Sequence, residues 1–166
     1  MRNFFNLRDL FLCGILFAFL DQLSKIIVQS NLSLGGRETV FPGFFDFIYV
    51  RNPGGAFSFL AGLPPSISKW LFISVTILAL CFVVYLYLYE FSDSSIARLG
   101  LIFIFGGGIG NLVDRFLYGE VIDFILLYYG SYYWPAFNIA DSGISIGVTI
   151  LLFVVFKSSF SKRKTY

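Results

Sequence analysis

The 166-residue sequence contains no histidine, few charged residues and only two cysteines. Without histidine, the chain cannot form a Ser-His-Asp triad, a Cys-His pair or an HExxH zinc site. Any acid–base chemistry must therefore come from carboxylates, lysine or tyrosine. Cys13 and Cys81 both lie within apolar runs, which is typical of small packed side chains rather than of a disulfide. We expect neither a metal nor a cofactor.

Charged residues make up only 13% of the chain, whereas hydrophobic residues make up 57%. A soluble domain usually carries about 25% charged and about 45–50% apolar residues. The chain therefore has too little polar material to cover a water-facing surface, and we expect membrane lipids to surround most of it. The net charge of +2 is too small to indicate a nucleic-acid-binding protein. The length fits a single domain over residues 1–166.

Four apolar runs approach the roughly 20 residues that are needed to cross a bilayer. These predicted spans cover residues 10–28, 70–89, 99–116 and 139–156. Residues 31–65 combine glycine and proline pairs with short aromatic and β-branched runs, which predicts a small β element outside the bilayer core. Residues 118–137 are amphipathic and rich in tyrosine, so we expect them at the membrane interface. The predicted architecture is a four-helix transmembrane bundle with a small β element.

Four crossings put both termini on one side of the membrane. One side then carries Arg2, Arg8, Arg98 and the basic tail at 162–164, and residues 31–65 lie opposite them. The positive-inside rule predicts that the termini are cytoplasmic. The bias is modest, because four basic residues fall on the other side: Arg37, Arg51, Lys69 and Arg115.

Ionisable residues within membrane segments are costly, so they are candidates for function. With this topology they gather at one face, the extracytoplasmic one. The polar residues of this group are Asp21, Lys25, Asn111, Asp114, Arg115, Asp123 and Asp141.

Several of these residues also have a structural interpretation. Asp21 and Lys25 lie four residues apart on a helix, so an ion pair that locks the bundle is at least as reasonable as catalysis. Arg115 could hold either a substrate carbonyl or a carboxylate. Asp141 begins a helix, where an acid could merely cap the N-terminus. Asp123 is flanked by apolar residues, and a carboxylate in such surroundings costs free energy, which favours a functional role.

Two acids that share one proton could work as an aspartyl-protease pair. The ionised acid would take a proton from water, while the protonated acid would polarise the scissile carbonyl. Spacing alone does not decide which two acids would pair.

Two other functions are open at this point. A Ser-Lys peptidase would use Ser24 with Lys25, or Ser68 with Lys69, but adjacent residues on a helix point apart by about 100°. A proton-coupled transporter would use three acids: Asp21, Asp114 and Asp141. Transporter sites typically lie near the bilayer midplane, whereas these acids gather at one face.

Five sequence blocks resemble those of the lipoprotein signal peptidase (signal peptidase II) family and follow the family's order. They are DQLSK at 21–25, RNPGGAF at 51–57, GNLVDR at 110–115, VIDF at 121–124 and FNIADS at 137–142.

The resemblance implies an aspartyl endopeptidase of the bacterial cytoplasmic (inner) membrane. Such an enzyme removes the signal peptide from diacylglyceryl-modified prolipoproteins, just before the lipidated cysteine. Asp123 and Asp141 match the family's catalytic pair, and residues 31–65 match its extracytoplasmic β-cradle. The residues that match substrate-positioning or supporting groups are Asn52, Gly54, Asn111, Arg115 and Asn138. The residues that match scaffold positions are Asp21, Lys25 and Asp114.

Overall fold

A computed structural model of the protein describes residues 6–54 and 64–163. Its four long helices are α1 (Leu7–Asn31), α2 (Pro65–Tyr85), α3 (Ser95–Tyr118) and α4 (Ile139–Arg163). Helix α2 continues as a π-helical turn at Leu86–Glu90. Three of the four apolar runs predicted from the sequence lie within α1, α3 and α4, and the run 70–89 lies within α2 and the π-helical turn that continues it.

All four helices are long and apolar enough to cross a membrane. Helix α3 is the central one, because 56% of its most apolar stretch is buried, against 28% or less in the other three. The outer helices turn large apolar side chains outward, among them Leu16, Phe19 and Leu78. A continuous apolar surface of this kind suits lipid rather than water. The predicted four-helix membrane bundle is confirmed.

Glycines allow α3 to approach α1 closely. A Cβ atom at Gly106 would lie 2.7 Å from the carbonyl oxygen of Gly14, and one at Gly110 would lie 2.5 Å from the carboxylate of Asp21. Both distances are shorter than real Cβ contacts, so any larger residue would force the helices apart. Gly106 and Gly110 form a GxxxG pair, a spacing that permits such a close approach of two helices.

One antiparallel sheet lies at the end of the bundle where α1 leads to α2 and α3 leads to α4. Its strands are β1 (Arg37–Phe41), β2 (Phe45–Asn52), β3 (Val121–Tyr129) and β4 (Tyr132–Tyr133), in that spatial order. Strands β2 and β3 are far apart in the sequence, and their register sets Val50 opposite Asp123 and Asn52 opposite Val121. The sheet therefore joins the two halves of the chain.

The bounds of the predicted β element need correction. Its strands occupy only 37–52 of the predicted 31–65, and residues 55–63 lie outside the described residues. The amphipathic pattern of 118–137 predicts an interfacial segment without a strand, yet β3 and β4 lie there. Residues 121–124 are all buried, so they lack the alternation that identifies a strand. The interfacial location of 118–137 stays a prediction.

A short turn carries the chain from α3 into β3. Gly119 ends the helix with a φ of 79°, a left-handed conformation that glycine adopts without strain. Ile122 and Phe124 then pack with Val28 and Tyr49 in one apolar cluster. Because successive side chains of a strand point to opposite faces, Asp123 faces away from that cluster.

Candidate active site

Asp123 is a buried carboxylate in the middle of an otherwise apolar strand. Only 3% of its surface is exposed. Its Oδ1 accepts a hydrogen bond from the Asn138 amide at 2.8 Å, and its Oδ2 accepts one from the Asn52 amide at 3.1 Å. Burial, followed by the nearby charge of Asp141, raises the pKa of Asp123 to about 7. This carboxyl therefore exchanges its proton near neutral pH.

Asp141 lies in the first turn of α4 but does not cap that helix with its side chain. The cap is Asn138, whose side-chain oxygen accepts a hydrogen bond from the Asp141 backbone N–H at 2.9 Å. The Asp141 carboxylate instead accepts a hydrogen bond from the Asn111 amide at 2.8 Å. The structure therefore removes the capping interpretation and leaves this carboxylate facing the polar site.

Asn111 and Asn138 connect the two aspartates. The Asn138 side chain is completely buried, and its amide nitrogen lies 3.3 Å from the Asn111 side-chain oxygen. Asp123 on β3 and Asp141 on α4 thus belong to one amide network, although they come from different elements. A network whose members are all hydrogen-bonded holds its side chains in fixed orientations.

Arg115 lies beside the pair and holds the backbone near it. Its guanidinium donates to the carbonyl oxygen of Gly54 at 3.3 Å and to that of Asn111 at 3.4 Å. It also lies over the ring of Phe72, 5.0 Å from the centroid, which is a cation–π contact. Arg115 therefore ties α2, α3 and the turn after β2 together. Gly54 takes part through its carbonyl oxygen.

The ion pair predicted between Asp21 and Lys25 is present and includes a third member. The Lys25 ammonium lies 2.7 Å from the carboxylate of Asp21 and 2.7 Å from that of Asp114. At most 1% of any of these side chains is exposed. Gln22 donates a further hydrogen bond to Asp114 at 2.7 Å. The cluster contacts the amide network through Lys25, whose ammonium lies 3.3 Å from the Asn111 side-chain oxygen.

A cavity of about 600 Å³ opens onto both aspartates. Its polar wall contains six of the residues singled out from the sequence: Asn52, Gly54, Asn111, Arg115, Asp123 and Asp141. Other parts of the wall come from α2, from α4 and from the segment before α4. That segment contributes the large aromatic side chains of Trp134 and Phe137. The cavity thus joins a pair of carboxylates to an apolar lining.

The alternative Ser-Lys pairs do not form. The Ser24 hydroxyl donates to the backbone of Asp21 at 2.6 Å, and the Ser68 hydroxyl donates to the Pro53 carbonyl at 2.5 Å. Lys69 donates to the Phe116 carbonyl at 3.0 Å rather than to a serine. These lysines are therefore not placed to activate either hydroxyl.

Two residues of the site were missed in the sequence analysis. Gln22 belongs to one of the family-like blocks, but we gave it no role. Its signal was available, since a polar amide in an apolar helix needs a partner. Phe72 gave no such signal, because one aromatic residue in an apolar span is ordinary until Arg115 is found above it.

The fold and the site define a multi-pass membrane protein that carries two carboxylates in a pocket lined by side-chain amides. A family model described as signal peptidase (SPase) II matches residues 4–157. The chain belongs to the signal peptidase II family, and a peptidase activity follows from that membership.

Related proteins cover most of the chain. A protein named lipoprotein signal peptidase from Desulforapulum autotrophicum is 41% identical over 136 residues, covering 82% of this chain and 84% of that protein. One of the same name from Syntrophus aciditrophicus is 44% identical over 133 residues, with 80% and 83% covered. A solved structure described as a bacterial membrane enzyme, at 2.3 Å resolution, superposes with a TM-score of 0.86 and 30% identity, covering 98% and 96% of the two chains.

Proposed function

We propose that this chain is an aspartyl endopeptidase that removes the signal peptide from diacylglyceryl-modified prolipoproteins, cutting just before the lipidated cysteine. The observation that carries this proposal is that one cavity is lined by both Asp123 and Asp141, each of which accepts a hydrogen bond from a side-chain amide. The name of the similar proteins, lipoprotein signal peptidase, supports the class of substrate.

In this mechanism the pair holds one proton. Asp123 carries it, because burial and the charge of Asp141 raise the pKa of Asp123 to about 7. Asp141 is the ionised member of the pair in this mechanism, and its carboxylate accepts a hydrogen bond from the Asn111 amide. Fixing the two carboxyls in separate environments assigns them different roles.

The reaction then needs only these two groups and a water molecule. Asp141 takes a proton from the water as its oxygen attacks the scissile carbonyl carbon, and Asp123 gives its proton to the carbonyl oxygen. In the second step the carbon–nitrogen bond breaks. The leaving nitrogen takes the proton that Asp141 received, and a hydroxyl of the intermediate returns a proton to Asp123. The pair ends as it began, with one proton.

The surroundings of the cavity fit a substrate that is held in the membrane. The lining combines polar groups with apolar side chains from α4 and from the segment before it, and the outer face of α4 is apolar. In a bilayer the acyl chains of the substrate are already out of water. Their contribution is therefore to fix depth and register, so that the scissile bond lies level with Asp123 and Asp141.

We also propose a bacterial cytoplasmic-membrane location, with both termini cytoplasmic and the site at the extracytoplasmic face. The sheet and the aspartates lie at the same end of the bundle. Arg8 and Arg98 lie at the other end, where the positive-inside rule places basic residues. Labelling of single cysteines by a membrane-impermeant reagent in intact cells tests this. A cysteine at exposed Tyr132 should react from outside, and one at Arg8 should not.

The substrate proposal is tested with purified protein in lipid, offered a diacylglyceryl prolipoprotein and the same protein without its lipid. We expect the unlipidated form to be cut at least about tenfold more slowly, because it loses the restraint on depth and register. Mass spectrometry of the product should find the lipidated cysteine at the new N-terminus. Equal rates for both forms, or a cut elsewhere, would contradict the proposed specificity.

A further inference from the structure

Each carboxylate that pairs with Lys25 makes a second contact that leads to the active site. Asp114 Oδ2 accepts a hydrogen bond from the backbone N–H of Ile122 at 3.1 Å, and Ile122 directly precedes Asp123. Asp21 Oδ1 accepts one from the backbone N–H of Ala140 at 2.9 Å, and Ala140 directly precedes Asp141. The Lys25 ammonium therefore pairs with two carboxylates, and each of these accepts a hydrogen bond from the backbone N–H of the residue that precedes one aspartate of the site.

Lys25 also favours one orientation of the Asn111 side-chain amide. Its ammonium lies 3.3 Å from the Asn111 side-chain oxygen, while the Asn111 amide nitrogen donates to Asp141 at 2.8 Å. A flipped Asn111 would turn its N–H groups towards the ammonium and its oxygen towards the Asp141 carboxylate. Both new contacts would be repulsive, so Lys25 keeps the donor directed at Asp141.

We infer that Lys25, with Asp21 and Asp114, forms a positioning network that sets the spacing and orientation of the two aspartates. The inference rests on the proposed function, in which Asp123 and Asp141 react together. Displacing catalytic groups by about 1 Å can cost about 100-fold in rate. A small shift of either backbone segment should therefore lower kcat while the substrate still binds.

The alternative is that this cluster only stabilises the fold. Buried ion pairs are weak evidence for stabilisation, because desolvation of the charges offsets their attraction. A second ion pair, between the exposed Arg37 and the buried Asp46, provides a control away from the two aspartates. The Asp46 carboxylate accepts its further hydrogen bond from the Tyr128 hydroxyl and not from backbone beside an aspartate of the site.

The test separates stability from turnover with three variants: Lys25→Gln, Asp21→Asn/Lys25→Gln and the control Arg37→Gln/Asp46→Asn. Lys25→Gln leaves two buried carboxylates without a counter-charge, so its Tm in detergent should fall most. The double variant Asp21→Asn/Lys25→Gln has the same net charge in the cluster as the wild type, and its Tm should recover. The kcat and KM for a diacylglyceryl prolipoprotein are measured at a temperature where every variant is folded.

We expect the double variant to keep kcat about tenfold or more below the wild type, with KM within about twofold, because the ammonium that orders the site is missing. The control should lose Tm and keep kcat. Recovery of kcat together with Tm in the double variant would overturn the inference. So would an equal loss of kcat in the control.

Lys25→Arg covers the case in which the double variant does not fold. Its charge is kept, but the planar guanidinium cannot reproduce the contacts of a compact ammonium. A folded Lys25→Arg protein with kcat at least about fivefold lower supports positioning, and wild-type kcat overturns it. Asp123→Asn, assayed beside it, distinguishes the two failures. If Asp123→Asn is active, the proposed mechanism fails; if it is inactive and the Lys25 variants are active, only this inference fails.

Discussion

Removing the side chain of Asn52 should raise the pKa of Asp123 and move the alkaline limit of activity upward. The Asn52 amide donates to Asp123 Oδ2 at 3.1 Å and so favours the charged carboxylate. A hydrogen bond to a charged group contributes about 1.5–3 kcal/mol, and one pKa unit corresponds to about 1.4 kcal/mol. Because Asn52 is only partly buried, water replaces part of this contribution, and we expect a shift of about one unit from the value near 7.

The assay is kcat against pH, measured on a diacylglyceryl prolipoprotein with purified wild type and Asn52→Ala. In the wild type, kcat should fall about tenfold per pH unit above about 7, as Asp123 loses the shared proton. In Asn52→Ala the same fall should begin about one unit higher. Asn31→Ala is the control, because its amide donates to the Ile27 carbonyl of its own helix and contacts no aspartate among the described residues. A limit that stays in place or moves downward would refute this reasoning.

Two further predictions concern stability. The pKa of Asp123 rises from 3.8 to about 7 on folding, so the native protein binds more protons than the unfolded chain in that window. The Tm of the protein should therefore fall as the pH rises from about 4 to about 7, and Asp123→Asn should weaken this pH dependence. A Tm that rises over this range would contradict a raised pKa of Asp123 in the folded protein. Gly110→Ala would bring a methyl group within 2.5 Å of the Asp21 carboxylate and should cost about 1–3 kcal/mol, so an unchanged Tm would contradict the close packing of α1 on α3.

The helices could be predicted from the sequence because each one carries its own signal. A run of about 20 apolar residues with few charges predicts a helix that crosses a membrane, and both features can be read from the run itself. The sheet could be predicted only in part. Strands β1 and β2 form a hairpin with a turn at Gly43, whereas the residues that pair β3 with β2 lie about 70 to 80 positions apart in the sequence. Such distant pairing leaves no local pattern, and the continuous burial of residues 121–124 hides the strand further.

The polar residues of the site could be identified because a membrane segment makes them conspicuous. Their connections could not. The i,i+4 spacing of Asp21 and Lys25 predicted one ion pair, but the contact between Lys25 and Asp114 crosses from α1 to α3. The role of Asn138 as the cap of α4, which frees the Asp141 carboxylate, also depends on side-chain orientation. Sequence spacing within one element carries no information about contacts between elements.

The central claim is that Asp123 and Asp141 act together as the catalytic pair. It is tested most directly by the turnover of Asp123→Asn, Asp141→Asn and the double variant on a diacylglyceryl prolipoprotein, with Tm measured on the same samples. Each single variant should remain folded and lose cleavage, and the double variant should lose little more, because groups that act as a unit are not additive. Near-normal turnover in either folded single variant would contradict the claim and remove that residue from the pair.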